Sequence, residues 1–159
     1  MAMRISDIAP LISAAAFLIS AVWLLVKLRQ MQRDRFVAVT NTLFQIWQSP
    51  EFMKAQLWVI HELKAGSWDE FLAQHAGKDG EAALLRVGGF YNRVGTLVNS
   101  GFVDGRFILR TIGSTAGQVW HKIQPLMADA RAKTPGLFVD FERLILHCDA
   151  CVSTKTETR

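Results

Sequence analysis

The hydrophobic pattern of the chain changes once, near residue 27. From Ile8 to Val26 it reads IAPLISAAAFLISAVWLLV, nineteen residues without a charge. As a helix this run rises roughly 28 Å, about the hydrocarbon thickness of a bilayer. Inside lipid a backbone must satisfy its own hydrogen bonds, so a transmembrane helix is expected. Pro10 falls in its first turn, where a missing N–H costs little. The rival reading is a buried core helix, and the charges flanking the run argue against it.

Beyond residue 27 the apolar positions recur in steps of three and four, the period of amphipathic helices. Residues 27–49 contain neither Gly nor Pro and should continue the first helix out of the membrane. Ser49-Pro50-Glu51 is a helix start, followed by a helix to about Leu63. It buries either Phe52, Ala55, Val59 and Leu63 or the neighbouring row Met53, Leu57 and Ile60. Ser67-Trp68-Asp69-Glu70 fits a capping box and opens a short helix to about Ala76. A long helix over 79–99 carries the seam Leu84, Val87, Tyr91, Val94 and Val98. Asp104-Gly105 opens a short helix over 105–112, and Ser114 or Thr115 caps another to about Arg131, with a kink or break at Pro125. Thr134-Pro135 restarts a helix to about Cys148. No segment alternates with period two for long, so no strand is expected.

The fold class predicted is all-α: one transmembrane helix continuing into a small cytosolic helical bundle. Its divisions are an anchor at 1–28, a juxtamembrane helix at 29–49, a bundle domain at 50–151 and a flexible tail at 152–159. The chain of 159 residues leaves enough beyond the anchor for one real core.

Charge orients this picture. The net charge is +4, and Lys27, Arg29, Arg33 and Arg35 all follow the apolar run, where headgroup contact is expected. Before it stand Arg4 and Asp7. Positive charge is retained on the cytoplasmic side, which predicts a bacterial inner-membrane protein with its N-terminus out and its domain in the cytoplasm. The same order argues against a cleaved signal peptide. These cations either recognise anionic lipid or simply set topology with snorkelling stems. In a reducing cytosol Cys148 and Cys151 should not form a structural disulfide.

Chemistry is scarce. His147, Cys148 and Cys151 are the one set resembling metal or redox ligands. A closed zinc site needs four ligands, and no second such motif supplies them. The pair also falls at a helix C-terminus, whereas redox pairs favour the N-terminus. No metal, cofactor or catalytic set is therefore expected. The cations of the domain are scattered among acids, which argues against a nucleic-acid partner. Other residues have structural readings. Ser13, Ala15, Ala16 and Ser20 give the span a small packing face. Gly88 and Gly95, seven apart on one helix, suit close approach of another helix. Arg93 or Arg131 is expected to pair with Glu142 and fix the bundle's register, and a solvated face is the alternative for each.

One resemblance adds to this. The run FYNRVGTLVNSGFVDGRFILRTIG, then Trp120, Ile123 to Pro125, Arg131 and Phe141 to Leu144, resembles a group of bacterial membrane-anchored helical proteins, the domain of unknown function 4760 type. The likeness covers roughly residues 36–146. It implies one N-terminal span followed by a helical domain, and no activity. Where such proteins often carry an acid after the Phe-Tyr pair, this chain has Asn92-Arg93, so no role of that acid is carried over. The function expected is non-catalytic: an accessory subunit or assembly factor of a larger membrane complex, with lipids and integral membrane proteins as partners. The alternative is a homo-oligomeric sensor or scaffold binding a small ligand or anionic lipid.

Overall fold

The computed structural model describes the backbone of residues 5–156 and the side chains of residues 16–31 and 36–147. Among these residues the regular structure is entirely helical: α1 (Ile5–Trp47), α2 (Pro50–His61), α3 (Trp68–His75), α4 (Asp79–Asn99), α5 (Gly105–Lys133) and α6 (Val139–Thr156). The chain divides into two units, Met1–Asn41 and Thr42–Arg159.

The first unit is most of α1. Its helix runs unbroken through the basic turn, where neither Gly nor Pro interrupts it. Among the described residues no helix is long and apolar enough to cross a membrane. Of the Ile8–Val26 run, the side chains of residues 8–15 lie outside the described set.

The second unit is a helical bundle whose helix starts follow local chemistry. Ser49 caps α2, its hydroxyl accepting from the Phe52 N–H at 3.3 Å. Ser67 caps α3 through the Glu70 N–H at 3.2 Å, while the Glu70 carboxylate reaches back to the Gly66 N–H at 2.9 Å. Asp104 caps α5 through the Arg106 N–H at 2.8 Å. Each such cap satisfies a donor that the helix itself leaves orphaned.

Packing selects between the apolar rows of α2. Phe52, Ala55 and Val59 are buried, and Met53 and Leu57 remain exposed. α4 packs on both α2 and α6, and α5 packs on α6, α2 and α3. Aromatic rings join these layers. Tyr91 stacks on Phe141 at 4.9 Å and 18°, and Trp120 meets the same Phe141 edge-on at 5.1 Å. Phe52 sits 4.7 Å from Phe90 on the other side. Such pairs add about 0.5–1.5 kcal/mol each beyond their burial.

Three expectations on boundaries are corrected. The two helices expected over 105–112 and 114–131 are one, α5, with no break at Pro125. Pro125 and His121, whose carbonyl it leaves without its partner, are both exposed, so water can serve that carbonyl. Helix α6 starts at Val139, not at Pro135. Gly136 and Phe138 hold positive φ values of 89° and 53°, which a right-handed helix excludes. Helix α6 also continues to Thr156 rather than ending near Cys148.

Helix α4 approaches α6 closely at Gly95. A Cβ there would stand 2.1 Å from the Asp140 carbonyl oxygen, which is backbone and cannot swing aside. Gly117 in α5 has open space at the same position. The two glycines therefore predict opposite outcomes. Gly95→Ala should force the helices apart and lower stability by about 2–3 kcal/mol. Gly117→Ala should raise it by ~0.5–1 kcal/mol through helix propensity. Urea unfolding followed by circular dichroism measures both.

Candidate functional site

The polar chemistry of the bundle converges where α4 meets the start of α6. Helix α6 has no capping side chain of its own at its first turn. Asn92, on α4, supplies one from outside: its Oδ1 accepts the Asp140 N–H at 3.0 Å and the Phe141 N–H at 3.2 Å. Two donors facing one atom identify it as the amide oxygen. One and two helix turns further along α4, Thr96 and Asn99 donate to the Asp140 carboxylate at 2.8 and 3.0 Å. The Thr96 hydroxyl also lies 3.0 Å from the Asn92 carbonyl, and its single proton favours the closer carboxylate. Arg143 completes the ring at 3.4 Å. The donors from Thr96 and Asn99, with the Arg143 charge behind them, hold the Asp140 carboxyl below its ordinary value.

A second cluster holds the turn between α5 and α6. The Arg131 guanidinium donates from Nε to the Leu137 carbonyl at 3.0 Å, from Nη2 to the Phe138 carbonyl at 3.4 Å, and from Nη1 to Glu142 at 2.7 Å. One planar group thus fixes three acceptors. It steadies Phe138, a bulky residue in the left-handed region. The Phe138 ring lies over Gly88, where a Cβ would come within 2.3 Å of it.

Deeper in the core, the Tyr91 hydroxyl donates to the Gln56 side-chain oxygen at 2.8 Å. Burial pushes this phenol up from its ordinary value, so it remains a neutral donor. The Trp47 indole N–H moderates that shift from nearby, although no well-formed hydrogen bond joins the two.

The residues singled out in the sequence fall in several places. Gly88 and Gly95 face α6 and the turn before it. Arg131 pairs with Glu142. Arg93 points to solvent. Ala16 and Ser20 are exposed on α1, joined by a bond from the Ser20 hydroxyl to the Ala16 carbonyl at 2.9 Å. Lys27 and Arg29 are exposed, and the side chains of Ser13, Ala15, Arg33 and Arg35 lie outside the described residues. His147 is exposed, with Nδ1 at 2.8 Å from the Arg143 carbonyl. It lines a groove of about 500 Å³ with Arg106 and Arg143. The Cys148 and Cys151 side chains lie outside the described residues. Among the described residues no three His, Cys, Asp or Glu side chains are gathered so as to hold a metal.

Sequence reasoning missed Asn92 as a cap. The absence of a capping residue between Thr134 and Val139 was the signal available for it, and the partner lies about fifty residues earlier. It also missed a groove of about 340 Å³ between α2 and α4, rimmed by Glu51, Lys54, Asp79 and Arg86.

These arrangements brace a helix end, a turn and the core of a helical-bundle protein. The domain of unknown function DUF4760 matches residues 11–148, and the chain belongs to that family. No curated protein and no solved structure matches the chain.

Two predictions rest on the α4–α6 junction. Asn92→Ala leaves two buried-end donors without an acceptor and should cost ~1–3 kcal/mol in urea unfolding. Asp140 has a depressed native pKa, so its contribution is complete above about pH 4, near the unfolded Asp value. That contribution is lost as pH falls through the native value. Asp140→Asn should therefore melt lower than wild type near neutrality, and the difference should shrink in acid. A difference constant down to about pH 2 would refute the assignment.

Proposed function

We propose that the chain is a single-span protein of the bacterial inner membrane, N-terminus outside, whose cytoplasmic bundle is an accessory subunit or assembly factor of a larger membrane complex. One observation carries the membrane part. Between Phe17 and Val26 eight large apolar side chains of α1 are each at least 54% exposed. Their positions, 17–19 and 22–26, surround the helix rather than forming one face. Leaving them in water forfeits on the order of 10–20 kcal/mol of burial, which lipid would supply.

Two details agree with lipid as the solvent of this stretch. Ser20, its one described hydroxyl, is already bonded to the Ala16 carbonyl. Lys27 and Arg29 are exposed directly after the apolar run, where headgroups would lie. The accessory role is supported by a bundle whose clustered polar groups, at Asn92, Asp140 and Arg131, hold a helix end and a turn. What such a domain offers other molecules is surface.

The test is fractionation of the full chain expressed in bacteria, followed by purification in mild detergent. The chain should stay in the membrane pellet through an alkaline carbonate wash, and Leu18→Arg with Val22→Arg should release it. Other membrane proteins should co-elute in stoichiometric amount. Release of the wild-type chain by carbonate would overturn the membrane reading. Retention with elution alone would overturn the accessory role.

A further inference from the structure

The groove between α2 and α4 has a symmetry that its residues do not use within one chain. The two helices run antiparallel, since Phe52 meets Phe90 and Tyr91 at one end while Trp58 sits on Gly80 at the other. Ala55, Ala82, Ala83 and Trp58 line the groove between two acids and two bases. Elsewhere the chain pairs such charges, at Arg131–Glu142, Lys133–Asp69 and Arg143–Asp140. Among the described residues Glu51, Lys54, Asp79 and Arg86 make no ion pair.

Asp79 and Arg86 are seven positions apart on α4, so they share one face about 10 Å apart along the axis. Ala82 and Ala83 lie midway between them. A two-fold axis passing between these alanines would bring Asp79 of each copy to Arg86 of the other. We propose that this groove is a homodimer interface, in which α4 packs antiparallel against α4 of a second copy through two Asp79–Arg86 pairs.

The surface meets what a two-fold contact requires. An isologous interface must be complementary to itself, and a face with an acid and a base equidistant from its centre is so. Small side chains at the centre let helix axes approach to about 8 Å. The rim is balanced in charge although the whole chain is +4, so copies repel less here than a uniform surface would. The inference stands apart from the membrane reading, because it uses residues of the bundle alone.

The full chain carrying Ala82→Cys, with Cys148→Ser and Cys151→Ser to remove competing thiols, is oxidised in native extracts and run on non-reducing gels. A disulfide-linked homodimer is expected, because Ala82 lies beside the axis. Adding Arg86→Asp should lower its yield at least about tenfold by setting like charges together. Asp79→Arg combined with Arg86→Asp should restore it, because the exchanged charges again face each other. The exchanged chain should not cross-link to a wild-type-charged chain bearing a different tag. Arg86 is exposed, and an unchanged melting temperature for Arg86→Asp shows that folding is not the cause. A yield insensitive to Arg86→Asp, a charge exchange that fails to restore it, or no homodimer at all overturns the proposal. Those results would leave the groove to an unrelated protein, a small zwitterion or solvent.

Discussion

The bundle depends on one backbone contact, the approach of α6 to α4 at Gly95. With no side chain there, the Asp140 carbonyl can sit where a Cβ would otherwise be. That proximity puts the first N–H groups of α6 within reach of Asn92, and the Asp140 carboxylate within reach of Thr96 and Asn99. It also aligns the Tyr91 and Phe141 rings one turn away. A wider spacing would break all of these together, because interiors deform in steps rather than continuously. The strained turn at Phe138 belongs to the same arrangement. It delivers α6 to α4 at the required height, and its ring fills the space left by Gly88.

Local chemistry made part of this legible. Ser49, Ser67 and Asp104 mark helix starts because a cap acts within three residues, and α4 follows its apolar seam from Asp79 to Asn99. Local chemistry failed where tertiary partners decide. Pro125 reads as a breaker, yet on an exposed face it removes a bond whose carbonyl water can reach. Thr134-Pro135 reads as a start, yet the Arg131 guanidinium and two positive φ values hold the segment as a turn until Val139. Asn92 serves N–H groups 48 and 49 residues away in sequence, beyond the reach of any local capping signal. The groove was invisible for the same reason: Glu51 and Lys54 meet Asp79 and Arg86 only once α2 lies antiparallel to α4.

The distribution of polar groups bears on what kind of protein this is. Catalysis needs titratable groups that converge on a space a substrate can enter. Here Asn92, Thr96, Asn99 and Asp140 converge on a helix end, and Arg131 and Glu142 converge on a turn. Tyr91 and Gln56 satisfy one another inside the core. Such groups are occupied by the fold, and changing them alters stability first. Among the described residues, the apolar stretch of α1 from Phe17 to Val26 and the charged groove on α2 and α4 are surfaces without such an internal role.

Those two surfaces would reinforce each other. A contact built on one helix pair and two exposed ion pairs is small against the ~1,200 Å² of buried area that stable soluble complexes need. Exposed ion pairs contribute only about 0–1 kcal/mol each, so such a contact would be mostly open at low concentration in free solution. Anchoring changes the arithmetic, since copies held in one plane meet at a far higher effective concentration and lose less orientational freedom on pairing. A weak, charge-registered contact then becomes specific without becoming permanent. That property would suit the proposed accessory domain, were it to exchange between a copy of itself and a larger assembly. In the proposed arrangement the apolar run would set how often the groove meets its partner, and the Asp79 and Arg86 charges would set which partner it keeps.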